Sequence, residues 1–227
     1  MLGALLAALR GGDALDKAFC EFDEMLSSGQ WMFQEVHSIL DAGNAADVRE
    51  ALFTRDQDIN RLLRALRGNI VTHLSINRNA DIAACLVLMS IAKDAERIGD
   101  YCKNLYEITE HGGFDHAPVA YQNRLREIPA DVEKIFEMVR TAFAESDTKQ
   151  AKIAIKAADA VRAACDEVAE ELLEDRSTIS TQEAVSCSMQ VRYFKRISSH
   201  LANIATAVFG RIEDLDFRKP PKAKDLK

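Results

Sequence analysis

Residues that stop helices are scarce in this chain and fall in clusters. These are Gly43-Asn44, Ser75-Ile76-Asn77-Arg78-Asn79, His111-Gly112-Gly113, Ser146-Asp147 and Ser177 to Thr181. Between the clusters run long stretches rich in alanine, leucine and charged residues, where apolar positions recur at helical spacing. With 10 Gly and 4 Pro in 227 residues, few further breaks are available. The chain is therefore confined to a small number of long helices, packed antiparallel through short connections.

The expected helices are six. Asp13 caps the first, which runs to about Ala42; the second runs from about Ala46 into the low 70s; the third follows the Ser75–Asn79 break and ends near Glu110. Gly112 to Pro118 reads as a linker. The fourth helix starts at Ala120 or Tyr121 and ends at Ala144, with Pro129 kinking it or delaying its start. Ser146-Asp147 caps a fifth that ends near Asp175, and Ser177 to Thr181 caps a sixth that ends near Asp216.

Three helices, a linker and three more suggest a duplicated unit. Arg97-Ile98 and Asn104-Leu105 in the third helix return as Arg196-Ile197 and Asn203-Ile204 in the sixth. The reading is all-α: two tandem three-helix bundles over residues 1–112 and 119–217, with a basic tail at 218–227.

Composition narrows the function classes. Apolar residues at 48% are enough for a sizeable core, and the net charge of −7 comes with no Lys/Arg stripe, so nucleic acid is not an expected partner. The one basic cluster is the tail Arg218-Lys219-Pro220-Pro221-Lys222-Ala223-Lys224, with a weak option of contacting acidic lipid or a partner. Five scattered cysteines with no C-x-x-C read as small core residues in a reducing compartment. No run approaches the ~20 apolar residues of a membrane span. The apolar start, with Leu2, Leu5, Leu6 and Leu9, lacks the length and basic flank of a signal peptide, and a cytoplasmic location is expected. Those leucines form a short amphipathic turn expected to dock on the protein's own bundle.

The third helix carries the chemistry. One stripe begins Ile82, Cys85, Leu86, Met89 and turns polar at Lys93, Glu96, Asp100 and Asn104. A second stripe, Val87, Ile91, Ile98 and Leu105, stays apolar. Glu96 and Asp100 stack on one face, where like charges repel by a few tenths of a kcal/mol. On one reading Glu96, Asp100 and Asn104 present oxygens to a cation, with Gly99 allowing close approach. On the other, Lys93 and Arg97 neutralise the two acids at helical spacing. Spacing alone favours the second, because Glu127–Asp131 and Glu171–Asp175 repeat the pattern where nothing else marks a site.

The run Ser90-Ile91-Ala92-Lys93-Asp94-Ala95-Glu96-Arg97-Ile98-Gly99-Asp100-Tyr101-Cys102-Lys103-Asn104-Leu105 resembles the signature helix of the PhoU family of phosphate-uptake regulators, an E-R-I-G-D core followed by N-[IL]. The resemblance implies a non-enzymatic regulator that links a phosphate transporter component to a sensor histidine kinase. It also implies E/D-x-x-x-D motifs able to hold multinuclear iron or zinc, or another divalent cation. The implied ligands here are Glu96, Asp100 and Asn104, with Asp56 from the middle helix. Any membrane association would be peripheral, through the partner, and a homodimer through helix packing is a further option.

The sequence departs from that pattern. In the second repeat Lys195 and Ser199 stand where the first has Glu96 and Asp100, and Ser198 replaces Gly99. The middle helix of the first repeat offers Asp56, Asp58 and Asn60 but no second acidic pair, and Arg61 or Arg64 is an alternative partner for the acids across the bundle. Two other function classes stay in view: a structural interaction module without metal, and a metal-dependent helical-bundle enzyme. The five histidines form no E-x-x-H pair of the di-iron kind. His111, Asp115 and His116 could bind zinc weakly in the linker. No phosphate-binding loop, dinucleotide fingerprint or nucleophile elbow occurs.

Overall fold

A computed structural model of the chain describes residues 14–42, 48–77, 80–111, 117–174 and 179–216. Six long helices make it up: α1 (Ala14–Ala42), α2 (Arg49–Ile76), α3 (Ile82–Thr109), α4 (Val119–Glu145), α5 (Thr148–Glu174) and α6 (Thr181–Ala207). No strand occurs among the described residues. The apolar leucine turn, Asp13, Gly43-Asn44, Asn79, the linker residues Asp115 and His116, and the basic tail lie outside the described residues.

The caps of α5 and α6 fall where the sequence predicts, whereas α3 is capped by Asp81, just past the expected Ser75–Asn79 stretch. Asp81 Oδ1 accepts the Ala84 amide at 3.0 Å and starts α3. Asp147 Oδ1 accepts the amides of Lys149 and Gln150 at 2.8 and 3.1 Å and starts α5. Ser180 and Glu183 form a reciprocal capping box at the start of α6. Pro129 does not interrupt α4, which runs through it with the ring buried. Two ends differ from expectation: α2 continues through Ser75 to Ile76 instead of ending in the low 70s, and α6 stops at Ala207, not near Asp216. Gly210 adopts φ 67, a left-handed conformation that ends a right-handed helix, and only a 3-10 turn, Ile212–Asp214, follows.

The helices form two tandem three-helix bundles. α1, α2 and α3 pack on one another, as do α4, α5 and α6; the halves meet where α3 lies on α6 and α1 on α4. This leaves α2 and α5 on the outer flanks. The core is continuous across the seam. Phe33 of α1 meets Phe136 of α4 at 5.6 Å and Phe194 of α6 at 6.1 Å, and Phe22 meets Phe143 at 4.8 Å. All four helix-facing rings of Phe22, Phe33, Phe136 and Phe194 are essentially inaccessible. Each such ring stabilises the fold by about 1.5–3 kcal/mol of burial, and each tilted pair adds about 0.5–1.5 kcal/mol. The four buried cysteines are core residues, and Cys20 alone is exposed.

Candidate functional site

The apolar stripe of α3 is buried as predicted: Val87, Ile91, Ile98 and Leu105 are all 2% exposed or less. Along the polar stripe Glu96 is buried, and Lys93, Asp100 and Asn104 are half-buried. The first turn of that stripe behaves differently, since Ile82 and Leu86 stand out from the bundle end at 60% and 46% exposure while Cys85 is buried.

Glu96 is 8% exposed, and Lys93 Nζ lies 2.6 Å from its Oε2. Asp100 has Arg97 Nη1 at 3.7 Å from Oδ2 and Lys103 Nζ at 3.3 Å from Oδ1. Neutralisation at i,i+3 spacing therefore forms at both acids. Lys103 reaches further: Nζ lies 2.7 Å from Oδ2 of Asp56, a residue of α2 that is 7% exposed. Burial opposes the charge on Lys103, but hydrogen bonding and attraction to Asp56, then to Asp100, outweigh it and hold its pKa above the ordinary value. Asn60 Nδ2 donates to the Asp56 carbonyl at 3.0 Å and to Oδ2 at 3.4 Å.

Asp56 Oδ1 is buried with no hydrogen-bond partner. It faces Gly99, whose hypothetical Cβ would stand 3.6 Å from Oδ1, 3.1 Å from Ile59 Cδ1 and 3.8 Å from Met32 Sδ. A glycine Cα–H points along that direction and offers a weak donor. Gly99 thus lets α3 lie close against α2 and α1, and that approach is filled by side chains. Cys102, fully buried one turn on, directs its thiol to the Gly29 carbonyl at 3.9 Å; burial, then Asp56, pushes its pKa up and keeps it a thiol rather than a thiolate ligand.

Of the four residues singled out in the sequence, the fold brings Asp56 and Asp100 to one ammonium. Glu96 sits one turn away on its own lysine, and Asn104 is half-buried four residues beyond Asp100. Among the described residues no three His, Cys, Asp or Glu side chains converge as a metal-binding set. The donor set fits a resident divalent ion poorly for a further reason: the acids already carry Lys93, Arg97 and Lys103. The alternative of Arg61 or Arg64 crossing from α2 to the acids is corrected. Arg61 pairs with Asp58 of its own helix at 2.8 Å, and the crossing cation is Lys103.

A second polar cluster lies on the opposite side of α3. Asp94 Oδ1 accepts from His200 Nδ1 at 2.7 Å and from Asn203 Nδ2 at 2.9 Å, both on α6. Tyr101 stacks on His200 with ring centroids 5.6 Å apart, and Arg196 Nε donates to the Tyr101 hydroxyl at 3.2 Å. Sequence reading missed Asp94, although it sits between Ile91 and Ile98 on the buried stripe. A charged residue on an apolar stripe signals a partner across a helix interface.

The family model described as "PhoU domain" matches residues 22–109 and again 125–208. This chain belongs to the PhoU family. The two PhoU matches fall on the two bundles, each ending within or just past the third helix of its half. A phosphate-specific transport system accessory protein PhoU homolog from Zymomonas mobilis is 33% identical over 82 residues, 35% of this chain and 34% of that protein. The homolog of the same description from Caulobacter vibrioides is 29% identical over 82 residues, 35% of each chain. The aligned region thus spans about a third of the length of these curated relatives. The crystal structure of PhoU from Pseudomonas aeruginosa superposes with a TM-score of 0.71 at 21% identity, over 86% of this chain and 95% of that one. The phosphate transport system regulatory protein PhoU from Streptococcus pneumoniae gives 0.75 at 13% identity, over 90% and 96%. At such identity these two structures speak for the fold.

Proposed function

We propose that this protein is an accessory regulator of phosphate uptake and phosphate-responsive signalling, acting by binding other proteins rather than by catalysis. The observation that carries the reading is the double match to the PhoU family, with the E-R-I-G-D helix lying in the first matched unit. The curated relatives are named accessory proteins of phosphate-specific transport, which supports a transporter component as partner; a sensor histidine kinase as second partner rests on the resemblance of the E-R-I-G-D helix alone. The acids on α3, with Glu96 compensated by Lys93 and Asp100 by Arg97, support a binding role. No helix among the described residues is long and apolar enough to cross a membrane, consistent with attachment through a partner.

The test is genetic. Deleting the gene in the organism that encodes it should raise phosphate uptake and expression of a phosphate-responsive reporter in phosphate-rich medium, and the intact gene should reverse both. If neither uptake nor reporter responds to the deletion, the regulatory reading is wrong.

A further inference from the structure

The cation implied beside the acidic helix is already part of this chain. Lys103 Nζ bridges Asp56 Oδ2 of α2 at 2.7 Å and Asp100 Oδ1 of α3 at 3.3 Å, and its side chain is only 20% exposed. Arg97 supplies a second positive charge to Asp100, and Lys93 supplies one to Glu96. Three carboxylates therefore meet three cations, and the cluster is neutral as it stands. A divalent ion would have to displace the Lys103 ammonium from a mostly buried carboxylate. The second bundle carries a simpler, more exposed pair. Lys195 occupies the position that matches Glu96 and pairs with Asp166 of α5, so a lysine on the last helix holds an aspartate on the middle helix in both halves.

We propose that Lys103 is a built-in replacement for a metal ion: its ammonium holds α2 to α3 through Asp56 and Asp100, and this place works without a bound metal. The inference goes beyond the regulatory reading and does not depend on it. Melting and metal content test it, whereas uptake tests the other.

The experiment uses the untagged full chain, its Lys103→Met variant, and Lys103→Met combined with Asp56→Asn. Each is dialysed with and without zinc or manganese, then melted and analysed for metal. The wild type should carry substoichiometric metal and melt at the same temperature in either buffer. Lys103→Met should melt about 5 °C or more lower, because a buried carboxylate has lost its counter-ion. Adding Asp56→Asn should restore much of that loss without metal, since the carboxylate that needed a cation is gone. Stoichiometric metal in the wild type, lost on Glu96→Gln with Asp100→Asn, would overturn the proposal, as would a Lys103→Met variant as stable as wild type. If Lys103→Met alone does not fold, the double variant decides: recovery of a folded protein supports the proposal, and no recovery overturns it.

Discussion

His200 Nδ1 lies 2.7 Å from Asp94 Oδ1, and this contact ties the third helix of one repeat to the third helix of the other. Asn203 adds a second bond to the same oxygen, and the His200 and Asp94 side chains are each less than a fifth exposed. Removing the Asp94 charge while keeping its shape leaves His200 and Asn203 facing an amide. Asp94→Asn is expected to destabilise the protein by about 1–3 kcal/mol. Chemical denaturation of the variant beside the wild type checks this; a loss under about 0.5 kcal/mol would mean that the seam is held by its aromatic rings alone.

Gly99 and Gly68 make opposite predictions from the same substitution. A methyl at Gly99 would approach Ile59 Cδ1 to 3.1 Å, whereas one at Gly68 meets nothing within 4 Å. Both lie inside helices, so alanine gains up to about 1 kcal/mol of helix propensity at each. At Gly99 overpacking of about 1–3 kcal/mol outweighs that gain. Gly68→Ala should therefore raise the melting temperature and Gly99→Ala should lower it. Equal shifts in both variants would show that Gly99 is not a packing requirement.

The buried thiols set an alkaline limit on stability. Burial pushes Cys165 up to about 12, with Asp166 adding to it, and pushes Cys187 up to about 11, against an ordinary 9.0. The folded pKa is raised, so the contribution is complete below pH 9.0 and is lost as pH rises through the folded values. Above pH 9 the unfolded chain has shed protons that the native state still holds, and stability falls. Melting temperature followed from pH 8 to 11 should decline less steeply in a Cys165→Ala, Cys187→Ala variant than in the wild type. At pH 8 iodoacetamide should label Cys20 in the native protein and leave the four buried cysteines unmodified.

The candidate site was legible only in part. Lys93 with Glu96 and Arg97 with Asp100 are readable from the sequence because three residues of helix bring their side chains together whatever the helix packs on. Lys103 was not. Its spacing from Asp100 is equally local, but its reach to Asp56 depends on how α2 lies along α3. Asp94 was hidden for the same reason: the partner of a charge on an apolar stripe can lie on any neighbouring helix, and here it lies more than a hundred residues away.

The sequence by itself determined six helices, the caps at Asp147 and Ser180, the apolar stripe of α3, the duplicated layout and the family. These follow from interactions within a few residues, or from a motif whose spacing is its meaning. Tertiary structure decided that Gly99 serves close packing, that the cation joining α2 to α3 is Lys103 on Asp56 while Arg61 stays on Asp58 of its own helix, and that Asp94 faces the second repeat. It also decided that α6 ends at Ala207, where Gly210 turns the chain. The rotation and axial register of one helix against another are fixed by burial summed over the whole core, and no local stretch of sequence contains that sum.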